Sequence, residues 1–284
     1  MIKLKDVCYK AWGNVVLNNV SFELKKSSGA IFYYDSGSGA TTTAKIVCGL
    51  VKANTGEVVV NGKPPVPSEI NATLFLSNPI FYKNKTAAKN LILAARHINY
   101  KIDKNEIYKI IEEFGLNPKQ KPKKMSRVQK LLLALARSKV QKKDLLVFDD
   151  VFRDFYDAEI EQVMPVFGNF IANKTVLIFD STKKIRFNNF DYFYLLFGHV
   201  YKFLKDAPIW QIYCMQNSKI EKHSGKIVEK NDKCFIIEND KKFSFKNSKK
   251  FKNAFERGVE EVLFGLNGKI VDAVFDAADF ERIL

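Results

Sequence analysis

The segment FYYDSGSGATT, residues 32–42, joins a short apolar run to a stretch with helical spacing. Its Gly37, Ser38, Gly39, Thr41 and Thr42 stand in register with the phosphate-loop pattern G-x-x-x-x-G-K-[ST]. Glycines let backbone amides turn inward on an anion, and the start of the following helix adds the partial positive charge of its unpaired N–H groups. The Thr41 hydroxyl is a hard oxygen ligand suited to Mg2+. The lysine that the pattern places next, bridging the β- and γ-phosphates, is Ala40 here. Loss of one charge-assisted hydrogen bond removes roughly 1.5–3 kcal/mol, about 10- to 100-fold in affinity. Asp35 adds a negative charge to the loop, and Lys45, five residues along the helix, should fall well round from the loop face. Asp149 and Asp150 close the apolar run LLVFDD, and Ser181 follows KTVLIFD. Such groups can support a metal or polarise a water; they can equally be strand-end polar groups with no metal.

These residues need a scaffold, and the hydrophobic pattern supplies one. SSGAIFYY, DLLVFDD and KTVLIFDS are short, nearly continuous apolar runs of the kind buried on both faces. Alternating residues in IKLKDVCYKA predict an edge strand, VVLNNVSFELKK a second strand, and GEVVVNGKP a third that ends in an Asn61-Gly62 turn. Helical spacing covers Thr41–Leu50, KTAAKNLILAARH, the segment from Asp103 as N-cap to Gly115 as stop, and SRVQKLLLALARSKV from Ser126. Apolar strands alternating with helices imply a mostly parallel sheet whose functional groups gather at the strands' carboxyl ends. From about residue 217 short alternating strands with Asn-Asp turns read as a small all-β domain.

With 284 residues, of which 46% are hydrophobic, the chain can build one large α/β domain and a small second one. No apolar run reaches the length of a membrane span, and MIKLKDVCYKAWG lacks the apolar core of a signal peptide. A cytoplasmic chain is expected. Lys and Arg number 46 against 31 Asp and Glu, a formal charge of +15. A nucleic acid or an anionic membrane would suit that excess; scattered lysines on solvated faces explain it more simply. No basic motif with stacking aromatics stands out, so no nucleic-acid partner is expected. Four cysteines without a C-x-x-C pair read as reduced, mostly buried thiols, and three histidines share no metal spacing.

Taken in order, the segments resemble the ATP-binding subunit of ABC transporters. Trp12-Gly13 stands where that family places an aromatic residue that stacks on adenine. GLV after the loop helix and TGEVVVNGKP resemble its pattern, and LSNP, residues 76–79, occupies the place of the glutamine loop. MSRVQKLLLALAR resembles LSGGQ-x-x-R-x-x-x-A-R; LLVFDD matches the second nucleotide motif, and KTVLIFDS ends where a switch histidine stands. DAPIWQIYCMQNSKIEKHSGKI and GVEEVLFGLNGKIV resemble the regulatory part of the maltose-importer class, although Leu266, Asn267 and Gly268 replace I-R-P.

The resemblance implies an α/β, P-loop NTPase-like ATPase domain with a helical subdomain over 1–216, and a β-barrel-like regulatory domain of TOBE/OB type over 217–284. ATP and Mg2+ would be the cofactors, with Trp12, Gly37, Ser38, Gly39, Ala40, Thr41, Thr42, Ser126 and Gln129 toward the nucleotide and Thr41, Ser77 and Asp149 toward the metal. Asp150 replaces the water-polarising glutamate, Ser77 the glutamine and Ser181 the histidine; Arg127 and Val128 replace two signature glycines, where side chains would obstruct approach to the γ-phosphate. The implied protein is a degenerate ATPase subunit of a sugar or polyol importer. Permease subunits and a second ATPase-like subunit, the same or different, would be its partners at the inner face of the membrane. The alternative is a pseudoenzyme scaffold without turnover. Read from the residues alone, Trp12 is equally a surface aromatic at a strand end, Ser126 a plain helix N-cap and Gln129 a solvated residue.

Overall fold

The computed structural model describes residues 1–34, 36–67, 69–196 and 198–203, and beyond them strands within 219–282. In chain order these are β1 (Ile2–Ala11), β2 (Asn14–Leu24), β3 (Gly29–Tyr34), α1 (Ala40–Val47), β4 (Thr55–Val60), β5 (Ala72–Leu76), α2 (Ala87–His97), α3 (Lys104–Glu113), α4 (Arg127–Val140), β6 (Leu145–Asp149), α5 (Asp157–Ile171), β7 (Thr175–Asp180), β8 (Phe190–Leu196) and β9 (His199–Phe203). The later strands are β10 (Lys219–Ser224), β11 (Lys226–Lys230), β12 (Lys233–Glu238), β13 (Lys241–Phe245), β14 (Glu261–Asn267), β15 (Ile270–Asp276) and β16 (Phe280–Arg282).

The fully apolar runs form the middle of a seven-stranded sheet in the order β16-β9-β8-β3-β7-β6-β5. β8, β3, β7, β6 and β5 run parallel, and every residue of β3, β6 and β7 is buried. One face packs on the helices through Leu91, Ile107, Leu135, Phe148 and Phe167. The other packs on α1 and the antiparallel sheet β2-β1-β4 through Leu4, Val20, Phe32, Val47 and Phe193. Phe32 stacks between Phe179 and Phe193, at centroid distances of 5.0 and 4.7 Å, which ties β3, β7 and β8 on this face.

β1 lies between β2 and β4 and is not the edge strand its alternation predicts. Alternation reports one solvated face and does not say how many neighbours a strand has. Helix α5 escaped the sequence reading. Pro165 sits inside it, a residue that normally argues against a helix interior. β5, β8 and β9 also went unread. Asp103 and Ser126 cap α3 and α4 as expected, and Asn61 and Gly62 take the positive φ values of 53° and 84° that their turn requires.

Among the later described strands, β10-β14-β15-β13-β12-β11 form one six-stranded sheet. The expected boundary at residue 216 and the segment leading to it lie outside the described residues, as does Asp35. β16 pairs antiparallel with β9 and so extends the seven-stranded sheet.

Candidate functional site

The carboxyl ends of the central strands converge, as parallel topology requires. Leu76 pairs with Asp149, Asp149 with Phe179, and Tyr33 with Asp180. The register therefore sets Ser77, Tyr34, Asp149, Asp150, Asp180 and Ser181 along one edge, with the loop into α1 above it.

The loop has the backbone of a phosphate cradle. Gly37 and Gly39 have φ of 85° and 92°. A Cβ on Gly39 would lie 2.4 Å from the Leu17 side chain and 2.8 Å from the Val16 carbonyl oxygen, so β2 passes too close for any other residue. No side chain caps α1, which leaves its first-turn amides as donors. Ala40 is 3% exposed and starts the helix.

Two of the residues expected toward the metal, Thr41 and Asp149, are brought together. The Thr41 hydroxyl donates to Asp149 Oδ1 at 3.2 Å. Burial pushes the Asp149 carboxyl above the usual carboxylate range; Thr41, Lys45 and Arg153 oppose that shift, whereas the Asp150 charge adds to it. Lys45 was expected well round from the loop face, but its charge reaches Asp149. Thr41 and Asp149 supply two hard oxygens, the donor chemistry Mg2+ takes. Ser77 is exposed beyond β5 and one residue past the partner of Asp149.

Asp150 and Ser181, the expected catalytic positions, are hydrogen-bonded to each other. Asp150 is 6% exposed, with φ of 55°. Its Oδ1 accepts from the Ser181 amide at 3.0 Å and the Ser181 hydroxyl at 2.7 Å. Its Oδ2 is buried without a hydrogen bond, 3.5 Å from Arg153 Nε. The Tyr34 phenol sits against this pair; burial raises its pKa above the usual value, and the Asp150 charge raises it further. Asp180 accepts from the Thr182 amide at 2.9 Å and the Ile185 amide at 2.9 Å and so shapes the turn that carries Ser181. The functional reading of the sequence passed over Asp180, although KTVLIFDS prints an acid at the end of a buried strand.

Trp12 is fully exposed and, with Gly13, forms the β1–β2 turn, at φ of 46° and 83°. Val16, which touches Gly39, is four residues further on, about 13 Å along an extended strand. Ser126 and Gln129 form a reciprocal capping box on α4 at 3.2 and 3.1 Å, and Gln120 also donates to the Gln129 carbonyl. The expected obstruction at the signature divides in two. Val128 is buried in the helical core and points away from the solvent side. Arg127 is drawn onto α5, 3.3 Å from Glu159 and 5.0 Å over the Tyr156 ring. Among the described residues no cluster of three or more His, Cys, Asp or Glu could hold a metal, and no helix is long and apolar enough to cross a membrane.

Comparison with known proteins bears on the family and the fold. Residues 17–153 match the family described as ABC transporter. Over that segment the chain is similar to ABC transporter ATP-binding domains. Over 161 residues the chain is 30% identical to YcbN of Bacillus subtilis (strain 168), an uncharacterized ABC transporter ATP-binding protein, covering 55% of this chain and 52% of that one. It is 30% identical to the Fe(3+) ions import ATP-binding protein FbpC of Photobacterium profundum, covering 57% and 48%. It is also 30% identical to the spermidine/putrescine import ATP-binding protein PotA of Mycoplasma mycoides, covering 53% and 45%. The chain thus spans about half the length of these relatives. CbiO1 of Clostridium perfringens, part of the ABC transporter complex cbiONQ, shares the fold of the ABC domain with a TM-score of 0.60 at 16% identity, covering 70% of this chain and 86% of that one.

Proposed function

We propose that this chain is the ATP-binding subunit of an ABC importer with impaired or absent hydrolysis. The observation that carries this is the split within one site: Thr41 and Asp149 are hydrogen-bonded to each other at the helix start, while Ala40 supplies no charge and Asp150 is bound to Ser181. Gly37 to Thr42 offer backbone amides to phosphates, Thr41 and Asp149 hold Mg2+, and Trp12 stacks on the base. Mg2+ would supply charge neutralisation at the phosphates. Asp150 is one methylene shorter than the glutamate it replaces and its Oδ1 is held by two donors of Ser181, which misplaces it for a water, and Ser181 lacks the reach and charge of a histidine.

The import role is supported by what the similar FbpC and PotA proteins are named for. The sugar or polyol class rests on the resemblance of residues 206–227 and 258–271 to the maltose-importer class. On this reading 217–284 is a TOBE/OB-like regulatory unit, permease subunits contact the segment from Phe81 to Arg137, and a second ATPase subunit completes the pair at the cytoplasmic face. A cleft of about 490 Å3 between Phe81, Tyr82, Ala94, His97 and Arg137 offers a seat for a permease loop. A pseudoenzyme scaffold is the second reading, favoured by the bonds that tie Arg127 and Ser181 into the fold.

The test has two arms. Membrane-spanning chains and a second ATPase should co-purify with the tagged chain, and Mg-ATP should bind without phosphate release above a blank. Phosphate release that Asp149→Asn abolishes would refute the impairment, and a chain recovered without permeases would refute the subunit reading.

A further inference from the structure

The phosphate-loop pattern opens on a glycine that this chain lacks. With Gly39 as the second glycine of G-x-x-x-x-G-K-[ST], the first falls on Tyr34. Glycine at the end of a strand leaves the space beyond it open, whereas tyrosine puts a ring there. Alternation along the strands says which side that ring takes. Ala30, Phe32 and Tyr34 of β3, Leu145 and Val147 of β6, and Leu177 and Phe179 of β7 all belong to the core on the α1 side of the sheet. Asp149 and Ser181 continue the β6 and β7 series at the strand ends, beneath the loop. β7 lies between β3 and β6, and Tyr33 pairs with Asp180, so Tyr34 stands level with Ser181 on the neighbouring strand. Ser181 is in turn bonded to Asp150. Tyr34 is 9% exposed. Its ring therefore fills this corner instead of leaning into solvent, and its phenol lies against Asp150 and Ser181.

Given the nucleotide-binding reading above, on which this rests, we propose that Tyr34 takes the place of a third phosphate and makes this a site for nucleoside diphosphates, with Mg-ADP preferred to Mg-ATP. Two phosphates find what the site offers: backbone amides from Gly37 to Thr42 and a metal that Thr41 and Asp149 would hold. A third, on the side of Asp150 and Ser181, meets the Tyr34 ring. It also adds negative charge beside Asp149 and Asp150, where Ala40 provides no cation and the buried Oδ2 of Asp150 accepts no hydrogen bond. Arg153, whose Nε is 3.5 Å from that oxygen, is already drawn to it. Burial and the Asp150 charge hold the phenol protonated, so the obstruction is the ring and not a phenolate. ATP still binds through its first two phosphates, and binds more weakly. A diphosphate has no third phosphate to transfer, so Asp150 stays bonded to Ser181 in the bound state.

The test is titration calorimetry of the full chain with Mg-ADP and with the magnesium complex of a non-hydrolysable ATP analogue. Mg-ADP should bind about 10- to 100-fold more tightly, the cost of pushing a buried aromatic side chain out into water; the added like charge works in the same direction. Mg-pyrophosphate should likewise outbind Mg-tripolyphosphate, a comparison that leaves out the base. Tyr34→Gly restores the pattern and should shrink the preference by about that same factor. It also opens a cavity in the core, so Tyr34→Leu, which keeps an apolar side chain and loses the ring, is the second variant and should shrink the preference in part. Tyr108→Leu removes a half-exposed tyrosine from α3 and should leave the preference as it is. Equal affinities in the parent chain, tighter binding of the triphosphates, or a preference undiminished in both Tyr34 variants would overturn the proposal and leave the nucleotide-binding reading standing. Binding of neither nucleotide would overturn that reading itself, and the proposal with it.

Discussion

Replacing Ala40 by lysine asks whether the loop is still shaped for phosphate. Ala40 is the first residue of α1, follows the left-handed Gly39 and is 3% exposed. A lysine there must run its stem over the loop and present its ammonium near the mouth. With Mg-ATP bound, one charge-assisted bond to phosphate contributes roughly 1.5–3 kcal/mol. In the free protein the ammonium meets Asp149 and the buried, unbonded Oδ2 of Asp150. Giving up such a pair at the site's mouth costs about 0.2–1 kcal/mol. The net gain is therefore about 0.5–2.8 kcal/mol, and affinity should rise between about 2- and 100-fold. Titration calorimetry with Mg-ATP measures it directly, and the ligand-induced rise in melting temperature should grow in step. Ala40→Met has a similar stem without charge and should bind as the parent does. An affinity unchanged by Ala40→Lys in a protein that melts normally, or a gain matched by Ala40→Met, would sink the reasoning and leave a scaffold with a loop no longer set for phosphate.

Ser181→Ala keeps the amide donor to Asp150 but removes the 2.7 Å hydroxyl bond to a buried carboxylate. Chemical denaturation should report a loss of about 1.5–3 kcal/mol, and an unmoved midpoint would mean that Ser181 has no structural role. Gly39→Ala combines a φ of 92° with contact against the Val16 carbonyl and should cost more than about 1 kcal/mol; a neutral result would show that β2 yields easily. Burial raises the Asp149 carboxyl, so its protonated form is favoured in the folded state. Stability is therefore gained as pH falls through the range between the raised and ordinary carboxyl values, and lost as pH rises through it. Asp149→Asn should flatten that part of the pH–melting profile and raise the metal-free melting temperature at neutral pH, while Mg-ATP no longer stabilises the protein. A lower melting temperature with an unaltered pH profile would contradict the sign.

The sequence by itself determined what the local chain can do. The apolar runs at β3, β6 and β7, the glycines at 37 and 39, the caps Asp103 and Ser126 and the identity of Ala40 follow from side-chain type at fixed spacing. That was enough for an α/β sheet with a phosphate-type loop and an incomplete charge set. Local pattern could not give the number of a strand's neighbours, which is why β1 was misread, nor could it override Pro165 to reveal α5. It also could not choose between two roles for one side chain. Asp150 and Ser181 are 31 residues apart, and only parallel register sets them at hydrogen-bond distance; burial then makes that bond a structural need. Arg127 and Val128 are neighbours in sequence, yet one lies on Tyr156 and the other enters the core.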